Sequence, residues 1–191
     1  MNSKNKTDSS QKVTQKMNSG FTLIELMIVI AMISILSAIA VPRFNAWLPV
    51  YRLKSAARDL QGNMQKARSQ AIKENSPIQI RFDSTNSPGF YYFDTIDDDT
   101  FTAGEFRVNL SSYNSGVDYG TGNASSTWSG GACTQATAIT FGTRGLSNPA
   151  SVYLQNDVGA VCYAITTSIA GTAKARRYNG MLPFNTNNWI E

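Results

Sequence analysis

Histidine is absent from the 191 residues, which removes catalytic triads, general bases and metal sites built on imidazole. Cysteine is nearly absent too: Cys133 and Cys162 are the only thiols, too few for a cysteine-rich zinc site. Acidic side chains number 13, and no pair of them has a spacing that argues for paired-carboxylate catalysis. A membrane-anchored enzyme working through Asp and Glu is not removed by composition alone. The chain also lacks internal repeats and any phosphate-binding glycine motif.

One apolar run stands out against this background. Phe21 to Val41 reads FTLIELMIVIAMISILSAIAV and carries a single charge, Glu25. As a helix it would be roughly 32 Å long, enough to cross a bilayer core of about 30 Å. The polar residues 1–20 ahead of it hold Lys4, Lys6, Lys12 and Lys16 against Asp8. By the positive-inside rule this end stays in the cytoplasm and the rest is exported. The same segment supplies most of the net charge of +4, leaving +1 on the side chains after residue 20, so a nucleic-acid role cannot be argued from the basic composition. A cleaved secretory signal would have a shorter apolar segment of about 7 to 15 residues, ending in small residues. A plain membrane anchor explains the length but not Glu25, since an intramembrane carboxylate costs on the order of 2.5–3.5 kcal/mol.

The stretch Gly20-Phe21-Thr22-Leu23-Ile24-Glu25-Leu26, with a basic leader before it and a long apolar helix after it, resembles the class III signal of type IV pilins and type II secretion pseudopilins. The resemblance implies that a prepilin peptidase cuts between Gly20 and Phe21 on the cytoplasmic side and methylates the new amino terminus. Glu25 and Pro42 stand where the family's pattern expects those residue types, and both are assembly candidates. Cutting creates a cationic amine at Phe21, and apolar surroundings tolerate a carboxylate only when such a charge neutralises it. Four residues separate the two, a spacing that allows pairing within one helix. The resemblance implies instead that Glu25 pairs with the amine of a neighbouring subunit, so that assembly removes an unpaired buried charge. The partners it implies are the prepilin peptidase, other minor pilins or pseudopilins, the major subunit, the inner-membrane assembly platform and membrane lipid. It implies no cofactor and no metal.

The chain divides on sequence into a leader over 1–20, a hydrophobic transmembrane or assembly helix over 21–48, an amphipathic helix half over 49–75 and a periplasmic β domain over 76–191. Pro42 and Pro49 predict kinks, with Arg43 and Trp47 where the chain leaves the bilayer. Leu53, Ala57, Leu60, Met64, Ala67 and Ala71 fall at helical spacing and form one apolar stripe. The other face carries Arg52, Lys54, Arg58, Lys66, Arg68 and Lys73, read as a solvated face in preference to a strip for DNA or lipid head groups. Asn75-Ser76-Pro77 ends the helix. Strands follow by alternation at Ile78 to Phe82 and Phe90 to Phe93, forming a hairpin, then at Glu105 to Leu110, Ala138 to Phe141, Val152 to Gln155, Val161 to Thr167 and Ala173 to Tyr178. The polar, glycine-rich stretch Ser111 to Gly131 is too long for a simple connector. The fold class is α+β: a long N-terminal helix, membrane-spanning and then amphipathic, packed on an antiparallel β-sheet or sandwich domain of pilin-like type.

Two further features resemble the GspH/FimT group of minor pilins and pseudopilins. They are the segment Ala67-Arg68-Ser69-Gln70-Ala71-Ile72 just before a strand, and the late order of strand, Gly142-Thr143-Arg144-Gly145, two strands, Gly171 and a basic strand. This resemblance implies a low-copy subunit at the filament tip or at its initiation. Some FimT-like competence pilins bear Gly-Arg-x-Arg near the C-terminus and touch DNA with it. The matching region here reads Gly171-Thr172-Ala173-Lys174-Ala175-Arg176-Arg177, without arginine after the glycine. Lys174 and Arg176 would share a strand face and Arg177 the other, so DNA contact by these three is the less favoured reading. Asp94, Asp97, Asp98 and Asp99 lack the spacing of a calcium loop and read as a solvated acidic turn. Cys133 and Cys162, in an exported segment, read as a disulfide, with two buried thiols as the competing reading.

Overall fold

The structure, a computed structural model, describes residues 21–159, 161–178 and 189–190. The leader and Gly20 lie outside these residues. A single helix, α1, runs from Leu23 to Glu74. Its start is set locally: Thr22 Oγ1 accepts the backbone N–H of Glu25 at 3.2 Å, which makes Thr22 the N-cap. Thr22-x-x-Glu25 has the spacing of a capping box, and the Glu25 carboxylate lies in the first turn, where the helix dipole favours negative charge. Pro42 and Pro49 each lack an N–H to donate, yet the helix continues through both. It ends where Asn75 turns left-handed, with φ of 48°, and the Ser76 N–H reaches back to the Ala71 carbonyl at 3.3 Å, a Schellman-type end ahead of Pro77.

The chain forms two compact units, Met1–Pro42 and Arg43–Glu191. In the first, the apolar helical residues are exposed, and none of the apolar stretch that is long enough to cross a membrane is buried. In the second, the same helix has one buried face, made by Leu53, Ala56, Ala57, Leu60, Met64, Ala67 and Ala71. These seven side chains share one core with residues of the strands, with leucine and methionine supplying the bulk beside the small alanines.

Among the described residues the strands are β1 (Ile78–Asp83), β2 (Phe90–Asp94), β3 (Arg107–Asn109), β4 (Asp118–Tyr119), β5 (Ala138–Phe141), β6 (Ala150–Gln155), β7 (Cys162–Thr167), β8 (Ala173–Tyr178) and β9 (Trp189–Ile190). They make two antiparallel sheets, ordered β3-β2-β1-β5 and β4-β6-β7-β8-β9. In β1 the period of two holds, with Ile78, Ile80 and Phe82 buried between Gln79 and Arg81. One core joins the helix stripe to both sheets, through Ile80, Tyr91 and Phe93 on the first and Val152, Leu154 and Ile165 on the second.

Several expectations change on contact with this architecture. The long stretch Ser111 to Gly131 carries a 3-10 turn over Leu110–Tyr113 and the short strand β4, both beyond reach of period counting at such lengths. Strand β9 is also new, since two residues give no periodicity. The third strand is only Arg107–Asn109, because Leu110 leaves the ladder to be buried. The acidic turn is not simply solvated. Asp94 is buried and accepts the backbone N–H groups of Asp97 (2.7 Å) and Asp99 (3.1 Å), while Asp99 pairs with Arg81, so these carboxylates are committed to the turn itself. The cationic helix face is also partly tied down. Arg52 donates to Ser115 Oγ at 2.8 Å, Arg68 Nε donates to the Gly145 carbonyl at 2.9 Å, and the Lys66 ammonium lies 4.4 Å from the centre of the Phe106 ring.

The Arg68 clasp joins two turns. Gly145 and Gly171 both have left-handed φ, +73° and +72°. A Cβ on Gly171 would lie 1.9 Å from the Gly145 carbonyl oxygen, which is backbone and has nowhere to go. Gly171→Ala is therefore expected to lower stability by at least roughly 1–3 kcal/mol, the scale of a forced backbone conformation. Chemical denaturation of the purified protein measures this, and an unchanged midpoint would refute the close approach.

Candidate functional site

Two regions bring the sequence candidates into three dimensions. At the helix start, Phe21 is 86% exposed and lies one residue before the N-cap. Glu25 follows a turn later, also exposed, and is the sole charge up to Val41. The geometry thus places a carboxylate and the prospective amino terminus at one end of an uncovered apolar rod. Water does not tolerate so much contiguous apolar surface, so lipid or other apolar helices must cover it.

The second region is the outer face of the second sheet. Cross-strand register puts Ser151, Thr166 and Lys174 in one row and Tyr153, Ala164 and Arg176 in the next. Their neighbours Val152, Ile165, Ala173 and Ala175 point the other way, into the core against the helix. Part of the outer face is roofed by the glycine-rich loop: Ala124, Trp128 and Cys133 pack there with Tyr153, Cys162, Ala164, Tyr178 and Trp189. Trp128 and Trp189 meet edge to face, with ring centres 5.9 Å apart, and Trp189 Nε1 donates to the Ser126 carbonyl at 3.0 Å. The roof stops at Trp128. Beyond it lies a cleft of about 430 Å³ lined by residues that include Ser151, Thr166, Thr172, Lys174, Arg176 and Trp128.

Strand alternation separates the three cations of β8. Lys174 and Arg176 line this outer cleft, and the Arg176 guanidinium sits 4.4 Å from the centre of the Trp128 ring and donates to Thr166 Oγ1 at 3.3 Å. Arg177 instead lines a groove of about 700 Å³ with Lys54, Arg58, Trp47, Tyr51 and Tyr163. Burial raises the Tyr163 hydroxyl above its ordinary pKa, opposed by the positive charge of Arg177 and Arg58. Sequence reasoning found the cations and their split. The place of Trp128, a tryptophan inside a loop of small polar residues, and the hydrogen bond of Arg68 to the Gly145 carbonyl carry no local sequence signal.

Both cysteines are thiols in this structure, and the same cluster holds them. Burial, with a smaller contribution from Cys133 nearby, pushes the Cys162 thiol up to about 12, and burial also raises Cys133. Neither is a reactive thiolate at neutral pH. Asp94, Asp97 and Asp99 come close enough to offer a cation three oxygens, but backbone N–H groups of the turn already engage Asp94 and Arg81 already engages Asp99.

Comparison with known families fixes what the geometry leaves open. The pattern of the family described as Type II transport protein GspH matches residues 56–171, and that of the prokaryotic N-terminal methylation motif matches residues 15–41. The chain belongs to the GspH family. The two matches cover the helix start, the buried stripe from Ala56 onward, both sheets up to Gly171 and the Arg68 clasp, leaving the basic strand β8 and β9 outside them. Among solved structures, the type IV minor pilin FimU of Pseudomonas aeruginosa is similar at 16% identity, with a TM-score of 0.45, over 64% of this chain and 91% of that one. No curated protein matches the chain. As a GspH-family chain with a methylation motif and an apolar N-terminal helix, it is a minor pilin or pseudopilin. This family implies processing by a prepilin peptidase and assembly with other pilins, and its helix and motif fit anchorage in an inner membrane.

Proposed function

We propose that this chain is a non-enzymatic tip or initiation subunit of a type IV pilus or a type II secretion pseudopilus. It sits in the inner membrane as a single-pass protein, with the leader in the cytoplasm and residues 49–191 in the periplasm, and moves from there into the filament. The observation that carries the reading is the bare apolar helix with its lone Glu25 one turn from Phe21. In lipid this charge is a cost; beside the amine of a neighbouring subunit it becomes half of an ion pair in an apolar setting. Leaving the bilayer for the filament is then favoured in the one register that pairs the two. Placement at the tip rests on the resemblance to low-copy members of the GspH/FimT group. A competence role through DNA has less support, since Lys174 and Arg176 face away from Arg177 and phosphate binding gains from several cations on one surface.

Mass analysis of the protein from cells with a working prepilin peptidase is expected to find an N-methylated Phe21 at the amino terminus; a chain retaining residues 1–20 would sink the processing step. In the same cells, Glu25→Leu should insert into the membrane at least as well as the parent, being more apolar, while its recovery in sheared filaments falls steeply. Equal recovery of parent and variant would remove the charge from the assembly mechanism.

The cysteines complete the reading. Export to an oxidising periplasm would join Cys133 to Cys162, tying the loop roof to the second sheet. In the chain-entropy model the closed loop contributes roughly 3.6 kcal/mol. Protein denatured without reductant is expected to take up no thiol reagent, and two equivalents after reduction; full labelling before reduction would refute the bond.

A further inference from the structure

We propose that the groove between α1 and the second sheet binds the head group of an anionic phospholipid, with Lys54, Arg58 and Arg177 around its phosphate and the aromatic residues of α1 against its glycerol. The inference rests on the membrane residence proposed above. The groove encloses about 700 Å³, within the roughly 300–1,000 Å³ of small-ligand sites. Lys54 and Arg58 line it from the helix and Arg177 from β8, and no acidic side chain among the described residues does so. None of the three cations forms an ion pair among those residues. Both guanidiniums bear on one point, the Tyr163 hydroxyl in the wall. Arg177 Nε is buried without a hydrogen-bond partner, a cost that an anionic acceptor beside it offsets. The planar guanidinium fork suits two oxygens of a phosphate.

Position along the helix favours a lipid over a free anion. Trp47, Tyr51, Lys54 and Arg58 stand at i, i+4, i+7 and i+11 on α1 and so form one stripe. The stripe begins aromatic: the Phe44 and Trp47 ring centres are 6.1 Å apart, Trp47 stacks on Tyr51 at 4.8 Å, and all three are exposed. Tryptophan and tyrosine just past an apolar run of bilayer length mark the head-group level. Lys54 stands about 4.5 Å beyond Tyr51 along the axis, and Arg58 about 10 Å beyond it. Side chains on a helix lean toward its N-terminus, which brings both charged ends back toward the aromatic level. Trp47, Val50 and Ile190 add an apolar wall, which gains from glycerol and acyl carbon and offers nothing to a soluble phosphate or a duplex. Spacing alone left Lys54 and Arg58 on a solvated face; the arrival of Arg177 from β8 makes them part of a site.

The test is native mass spectrometry of the full processed chain in a polyoxyethylene detergent. Dioleoyl phosphatidylglycerol, dioleoyl phosphatidylcholine, glycerol phosphate and a short duplex oligonucleotide are offered in separate arms. Phosphatidylglycerol is expected to be retained at least about fivefold more than phosphatidylcholine, and glycerol phosphate and the duplex at least about tenfold less than phosphatidylglycerol. Lys54→Met, Arg58→Met and Arg177→Met should each lower phosphatidylglycerol retention about fivefold, the share of one cation beside an anionic lipid surface. Lys54 and Arg58 are exposed, so their variants read the site even where an Arg177 variant unfolds. Unchanged retention in the double variant Lys54→Met, Arg58→Met would place the lipid elsewhere and overturn the proposal. Equal retention of phosphatidylcholine, or binding of glycerol phosphate or the duplex as strong as that of phosphatidylglycerol, would overturn it too. Alkaline carbonate extraction of cell membranes reads residence separately. A chain released by carbonate overturns residence and groove together, whereas a retained chain with no preference for phosphatidylglycerol overturns the groove alone.

Discussion

The seat of the helix between two sheets is the interaction on which the rest of the molecule depends. Leu53, Leu60 and Met64 are wholly buried in one core with residues of both sheets. Side-chain polar contacts then fix the seat's register without carrying its energy: Asn63 donates to the Tyr91 hydroxyl at 2.7 Å, Gln61 to the Ala173 carbonyl at 2.9 Å, and the Tyr113 hydroxyl donates to Asp59 at 3.0 Å. Such bonds contribute about 1 kcal/mol each. Burial of the stripe contributes more in total, at roughly 25 cal/mol for each Å² of apolar surface removed from water.

Legibility in the sequence followed the length of each pattern. The stripe from Leu53 to Ala71 spans five turns, and every residue named from it is buried. Ile78, Ile80 and Phe82 alternate for long enough to fix the face of β1. Strands of two residues carry no period, so β4 and β9 were invisible, and pairing into two separate sheets depends on contacts between residues far apart in the chain. The site divides along the same line. The split of Lys174 and Arg176 from Arg177 follows from a period of two within one strand. That a tryptophan from residue 128 would wall the recess, or that Arg68 would clasp two turns, depends on loop paths that no local spacing encodes.

The second sheet shows how a long polar loop acquires a structural task. Its inner face is covered by α1, and part of its outer face by Ala124 and Trp128 of the glycine-rich stretch together with Cys133 just after it. The roof covers only part of the face. Beyond Trp128 the row of Ser151, Thr166 and Lys174 lines the cleft, so the edge of the packed surface coincides with one indole ring.

The capping box has a consequence for maturation. Thr22 and Glu25 fix the first turn from within the sequence that survives the proposed cut, so removal of residues 1–20 leaves the start of the helix with the same hydrogen bond and the same direction. What would change is the local field: four lysines and Asp8 depart and a single positive charge arrives one residue before the cap. The proposed processing would thus alter the charge ahead of the cap while the hydrogen bond that starts the helix lies wholly within the retained sequence.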